Sequence, residues 1–214
     1  MTHFLLIRHA VNDMVKTGKL AGWMPDVHLN DQGKAQAAAL GKRLAEVKLH
    51  AIYSSPLERT METAEAIALH HSDLTVQGLE SIGEVRYGEW EGEKLDKLRH
   101  QKLWGNVQFF PTRVQFPAGE TMRGAQARAV DALEELYRRH PRQTVVLVSH
   151  SDLIKMIVAH YLGVHLDLFQ RINISPASIT TLMLGGSMPF IHAVNDTSHN
   201  PREEPEKKGS SSES

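Results

Sequence analysis

Two short apolar runs in this chain end in the same abrupt way. "FLLI" (residues 4–7) gives way to Arg8-His9, and "VVLV" (residues 145–148) gives way to Ser149-His150. A run that is apolar at every position, rather than at every second one, suits a strand covered on both faces. Such strands belong to mostly parallel sheets with helices on either side. In an open sheet of that kind, ligands bind beyond the carboxyl ends of the strands. The two histidines therefore emerge into one crevice although 141 positions separate them, since 150 − 9 = 141. A single polar residue at a strand end is unremarkable, because every buried strand must surface somewhere. Two histidines, one preceded by arginine, point to a site.

The segments between these runs fit the same architecture. A Gly-, Pro- and Asn-containing loop follows the first run, and Asn30 is placed to cap a helix in which Ala35, Ala38, Ala39, Leu40, Leu44 and Val47 recur up to Leu49. "AIYSS" reads as a second brief strand, followed by a helix opened by Pro56 with Thr60, Ala64, Ile67 and Ala68 inward. The region from Leu74 to Gly119 is irregular, and "FFPTRVQFPAGE" within it reads as a loop or lid. Thr121 opens a long helix that stops at Pro141, and Ser151 and Asp152 are N-cap candidates for a helix running to about Leu162. "SITTLML" and "PFIHAV" are expected to be final strands joined at Gly185-Gly186. The expected fold is a three-layer α/β/α sandwich with a mostly parallel central sheet, one domain over 1–195. Residues 196–214, polar and rich in Pro and Ser, are expected to be a disordered tail.

Composition removes several function classes. Lysine plus arginine (24) and aspartate plus glutamate (25) nearly cancel, so no overall field recruits nucleic acid or an anionic membrane. No cysteine is present, which excludes disulfides, thiolate metal sites and thiol nucleophiles and suits a reducing cytoplasm. The apolar run near the start is too short for a signal-peptide core, so a cytoplasmic location is expected. Thirteen histidines raise the question of a metal. However, there is no HExxH, and His70-His71 with Asp73 reads as the solvated polar end of a helix.

Four motifs in order then carry a resemblance over roughly residues 3 to 194. "LIRHA", "IYSSPLERTMETAEAIA", "IGEVRYGEWEG" and "VLVSHSDLIK" resemble the histidine phosphatase superfamily, in its phosphoglycerate mutase-like branch. The resemblance implies a phosphohistidine formed on His9, with Arg8 and Arg59 as fixed cations for the phosphoryl oxygens and His150 completing the pocket. No metal and no cofactor is implied. The chemistry agrees: an imidazole is nucleophilic and uncharged near neutral pH, and guanidiniums donate paired hydrogen bonds to phosphate. Expelling an alcohol also needs a proton donor. Among Glu80, Glu84, Glu89, Glu91 and Glu93, the family pattern, with its acid three residues before Tyr87-Gly88, selects Glu84.

The chain departs from the family at the rim. Ala10-Val11-Asn12-Asp13 stands where many members carry Gly and then Glu-Thr, and Ser151-Asp152 where Gly-Gly is frequent. Neither change removes a charge from the phosphate pocket. Asn12 and the loop holding Gly22 and Trp23 are expected to line the part that reads the rest of the substrate, although Trp23 equally fits a packing anchor. The expected activity is hydrolysis of a small phosphate ester. A phosphoglycerate mutase-type transfer with the same residues is the alternative, and a phospho-ligand binding module is the third reading. An oligomer is compatible with the Phe109-Phe110 loop, which suits a lid or a dimer contact.

Overall fold

The structure is a computed structural model that describes residues 1–186 and 188–201. Six strands form one sheet: β1 (Thr2–Arg8), β2 (Ala51–Ser54), β3 (Val76–Gly78), β4 (Thr144–Ser149), β5 (Ile179–Leu184) and β6 (Phe190–Asp196), in the spatial order β3-β2-β4-β1-β5-β6. Strands β3, β2, β4 and β1 run parallel, and β5 pairs antiparallel with β1 and with β6. The two apolar runs are thus neighbours at the centre of the sheet, with Arg8 opposite Ser149 in register.

Period-two alternation sorts the side chains of these strands into two layers. Phe4, Leu6, Tyr53, Val145 and Leu147 face a core shared with helices α6 (Met122–Arg139) and α7 (Ser151–Tyr161). Ile7, Ile52, Val146 and Val148 face the opposite core, shared with α2 (Asp31–Leu44) and α3 (Glu58–Ala68). The fold is therefore the expected α/β sandwich with helices on both faces. Asn30 caps α2 by accepting from the Gly33 N–H at 2.8 Å, and Thr121 caps α6 in the same way through Gly124.

Several local expectations are corrected. Helix α2 ends at Leu44 rather than Leu49, and Leu49 instead drops into the α2-side core from the connection to β2. Helix α3 starts at Glu58, two residues after Pro56. Neither Ser151 nor Asp152 caps α7; both lie inside it, and His150 holds the extended N-cap position. The region from Leu74 to Gly119 is more ordered than an open loop. It contains β3, α4 (Leu95–Arg99) and α5 (Lys102–Phe109), and buries Trp90 and Phe116 edge-to-face at 5.4 Å. A short helix, α1 (Met14–Thr17), interrupts the loop after β1. Beyond Val194, β6 continues to Asp196, and His199 and Asn200 hydrogen-bond the carbonyls of Ala177 and Pro176. The rest of the expected tail, 202–214, lies outside the described residues.

Candidate active site

The carboxyl ends of β1, β4 and β2 deliver three polar groups to one place. His9 follows β1 and donates its backbone N–H to the Ser149 carbonyl (2.9 Å), so the ends of β1 and β4 are locked together. The imidazoles of His9 and His150 meet edge-to-face with centroids 5.3 Å apart. Beyond β2, Ser55 leads through Pro56 into α3, whose second residue is Arg59.

The hydrogen bonds of His9 decide which nitrogen can react. Nδ1 lies 2.8 Å from the Ala10 carbonyl, which can only accept, so Nδ1 carries the proton and the lone pair is on Nε2. The ring is buried, and burial, then the charges of Arg59 and Arg8, hold it well below the usual imidazole range. His9 is therefore neutral and oriented. The methyl of Ala10 is fully buried with Leu29, Ala37 and Ala177, and its N–H donates to Thr63 Oγ1. The replacement of glycine there adds packing and leaves the imidazole geometry free.

Arg59 is the largest fully buried side chain in the molecule as described. Its Nη2 donates to the Gly22 carbonyl (2.8 Å) and to His150 Nδ1 (3.3 Å), while His150 Nε2–H donates to Ser55 Oγ (2.8 Å). Burial and the nearby guanidiniums hold His150 well below the usual imidazole range, so it too is neutral. Arg8 donates through Nη1 to the Ile174 carbonyl (2.7 Å). Among the described residues, Arg59 Nη1 and Arg8 Nε are buried donors without a protein partner. Two fixed cations with uncommitted donors, facing a neutral imidazole, make an anion pocket.

Glu84 completes the group. Its Oε1 accepts from the Val85 N–H (2.9 Å), and its Oε2 is 3.8 Å from His150 Nδ1. Burial, reinforced by the charge of Asp152, pushes its pKa up to about 7 against the pull of Arg59 and Arg8. Near neutrality it exists in both protonation states, which suits a group that first gives and then takes a proton. Of the other acidic residues in that stretch, Glu80 pairs with Arg86, Glu93 with Lys97, and Glu91 accepts from the Tyr87 N–H.

The rim residues are tied down by the loops around them. Asn12 is buried and spends its Oδ1 on the Met14 N–H (3.0 Å). Trp23 is the packing anchor of the two options: its Nε1–H donates to the Glu84 carbonyl (2.6 Å), and Arg86 lies over its ring at 3.8 Å. Gly22, at φ +50°, has a Cβ direction that would meet the Glu91 side chain at 2.6 Å. Glycine there keeps the carbonyl turned onto Arg59.

Sequence reasoning missed Arg128. Its guanidinium donates to the carbonyls of Ser81, Gly83 and Glu84 and to both carboxylate oxygens of Glu120, so α6 grips the loop that carries Glu84. A signal existed. Arg128 sits between Ala125 and Ala132 on the stripe of α6 that faces the core, where an unpaired cation has no reason to be.

Together these features define an enzyme class: a phosphoryl-transfer pocket built on histidine and arginine at the strand ends of an α/β sandwich. The chain belongs to the histidine phosphatase superfamily (branch 1), whose profile matches residues 4–197. It is 32% identical over 204 residues to phosphoserine phosphatase 1 of Hydrogenobacter thermophilus, covering 93% of this chain and 94% of that one. It is 31% identical over 206 residues to a 2,3-bisphosphoglycerate-dependent phosphoglycerate mutase of Bartonella tribocorum, covering 91% and 93%. In structure it is similar to a phosphoserine phosphatase mutant from Entamoeba histolytica in complex with phosphoserine, with TM-score 0.84, 26% identity and coverage of 93% and 99%.

Proposed function

We propose that this protein hydrolyses small phosphate monoesters, phosphoserine-like ones among them, through a phosphohistidine on His9. The observation that carries the reading is the His9 tautomer, Nδ1–H on Ala10 with the Nε2 lone pair open, beside two guanidiniums with buried donors to spare. In the first step Nε2 forms a bond to phosphorus and the P–O bond to the alcohol breaks. Protonated Glu84 supplies the proton to the leaving oxygen. The two positive charges of Arg8 and Arg59 match the two negative charges of the ester and the charge spread over its equatorial oxygens in transit. Asn12, its oxygen held by Met14, offers its amide N–H to the same oxygens. His150 backs the imidazole and holds Arg59 in place. In the second step the Glu84 carboxylate takes a proton from water, the hydroxide bonds to phosphorus, and the P–N bond breaks.

The charge of the phosphoryl group is met by side chains of the chain itself, so the proposed reaction proceeds with a chelator present. A cytoplasmic setting fits the lack of cysteine, and among the described residues no helix is long and apolar enough to cross a membrane. The test is turnover of p-nitrophenyl phosphate in EDTA. We expect activity in the wild type and loss of about 10³-fold or more in His9→Ala, in line with removal of a covalent nucleophile. Activity that needs added divalent metal, or that survives in His9→Ala, contradicts the reading. The identity to a phosphoglycerate mutase favours one second reading, transfer back to the substrate. Incubation with 3-phosphoglycerate separates the two: free phosphate supports the phosphatase, and 2-phosphoglycerate supports the mutase.

A further inference from the structure

One charged group beside the pocket tunes Glu84 but has no contact of its own with the substrate in the steps above. Asp152 stands in the first turn of α7, two residues beyond His150, with 24% of its side chain exposed. Its Oδ2 accepts from the hydroxyl of the buried Tyr87 (3.3 Å) and its Oδ1 from Lys155 Nζ (3.2 Å). Lys155 is in turn tied to Gln170 Oε1 (3.1 Å). The carboxylate is thus held in one place. Its neighbour Ser151 donates to the Ile174 carbonyl (3.4 Å) that also holds Arg8, and Tyr87 lies three residues from Glu84, so the carboxylate borders the pocket, and its charge acts on Arg8 and Glu84.

A negative charge beside an anion pocket opposes binding of a phosphate dianion. The opposition is offset when the rest of the ester brings a cation to that spot. Each oxygen of Asp152 uses one lone-pair direction on its present partner and keeps another, enough to accept from an ammonium group. Lys155 cannot fill that role for the substrate, because its ammonium is committed to Asp152 and Gln170. We propose that Asp152 is the specificity-determining residue for the leaving alcohol, accepting a hydrogen bond from its ammonium group. Preferred substrates are then phosphate esters of amino alcohols and hydroxy amino acids. The inference rests on the phosphatase reading above.

Phosphoserine and 3-phosphoglycerate are a matched pair for the test, since they differ only in carrying an ammonium or a hydroxyl on the central carbon. We expect the wild type to favour phosphoserine in kcat/KM. In Asp152→Asn the ratio of the two values falls about tenfold, the size of one charge-assisted hydrogen bond, mainly through KM for phosphoserine. Phosphoethanolamine, which keeps the amine and lacks the carboxylate, loses in step with phosphoserine. Any change in Glu84 caused by the substitution touches both esters alike and leaves the ratio alone. Asp152→Ser is measured beside it, with thermal melting to establish that both variants fold. An unchanged ratio in a folded variant overturns the assignment and leaves Asp152 as a helix-end charge paired with Lys155. A wild type that hydrolyses p-nitrophenyl phosphate and 3-phosphoglycerate but no amine-bearing ester overturns it as well, with the phosphatase reading intact. A wild type that hydrolyses none of these esters removes the phosphatase reading and the assignment with it.

Discussion

Glu84 keeps only 14% of its side chain exposed, and burial first, then Asp152, pushes its pKa up to about 7 from an ordinary value of 4.5. In the unfolded chain the same carboxyl titrates near 4.5. Between those pH values the native state binds more protons than the unfolded one, so this residue costs stability as pH rises from about 4.5 to 7, and the cost persists above. Glu84→Gln cannot ionise. It is expected to be more stable than the wild type at pH 8 by about 1–3 kcal/mol and to match it near pH 4, as measured by urea denaturation at both values. Equal stability at pH 8 contradicts the raised pKa. Activity runs the other way. The alcohol leaves only if Glu84 is protonated, so kcat/KM for an alkyl phosphate is expected to fall as pH rises through about 7. In Asp152→Asn, which removes the second cause of the shift, that descending limb moves to lower pH. His9 sets no acid limb near neutrality, because burial and the two guanidiniums keep it uncharged well below the usual range.

At the scale of elements, the site depends on how a loop from one part of the chain is gripped by a helix from another. Arg128 in α6 ties down the carbonyls of Ser81, Gly83 and Glu84, and Trp23 from the loop after β1 holds the last of these again. Arg128→Met keeps the length of the side chain and removes five donors. The loss in kcat is expected to be larger for phosphoserine than for p-nitrophenyl phosphate by about tenfold, because an alkoxide needs the proton from Glu84 and nitrophenolate does not. A merely structural role predicts equal losses. The elements themselves were largely legible. Buried strands show as apolar runs, and Asn30 and Thr121 show as caps because their side chains satisfy the first amides of a helix. Residues 74–119 were not legible as β3, α4 and α5, since three- to eight-residue elements are held by tertiary packing around Trp90 and Phe116 rather than by their own periodicity. The grip of Arg128 was hidden for a related reason: three of its five acceptors are the carbonyls of Ser81, Gly83 and Glu84, and backbone carbonyls leave no mark on a sequence.

At the scale of the molecule, the strand order does the assembling. Inserting β4 between β2 and β1 brings His150 beside His9, and brings Ser55 and Arg59 to the same edge. His9, His150 and Arg59 could be read from the sequence because buried strands and a first helical turn deliver them to a predictable crevice. The oxygen of Asn12 serves the α1 turn, a contact that no pattern announces, and Asp152 was read as a cap when it lies inside α7 and accepts from the Tyr87 hydroxyl. The covalent step on His9 is open to a rapid-quench experiment with ³²P-labelled p-nitrophenyl phosphate on Glu84→Gln. Nitrophenolate leaves without help, whereas the second step lacks its base, so a burst of about one nitrophenolate per protein and an acid-labile, base-stable label on His9 are expected. No burst with no label, or a label that remains in the His9→Ala, Glu84→Gln double variant, contradicts it.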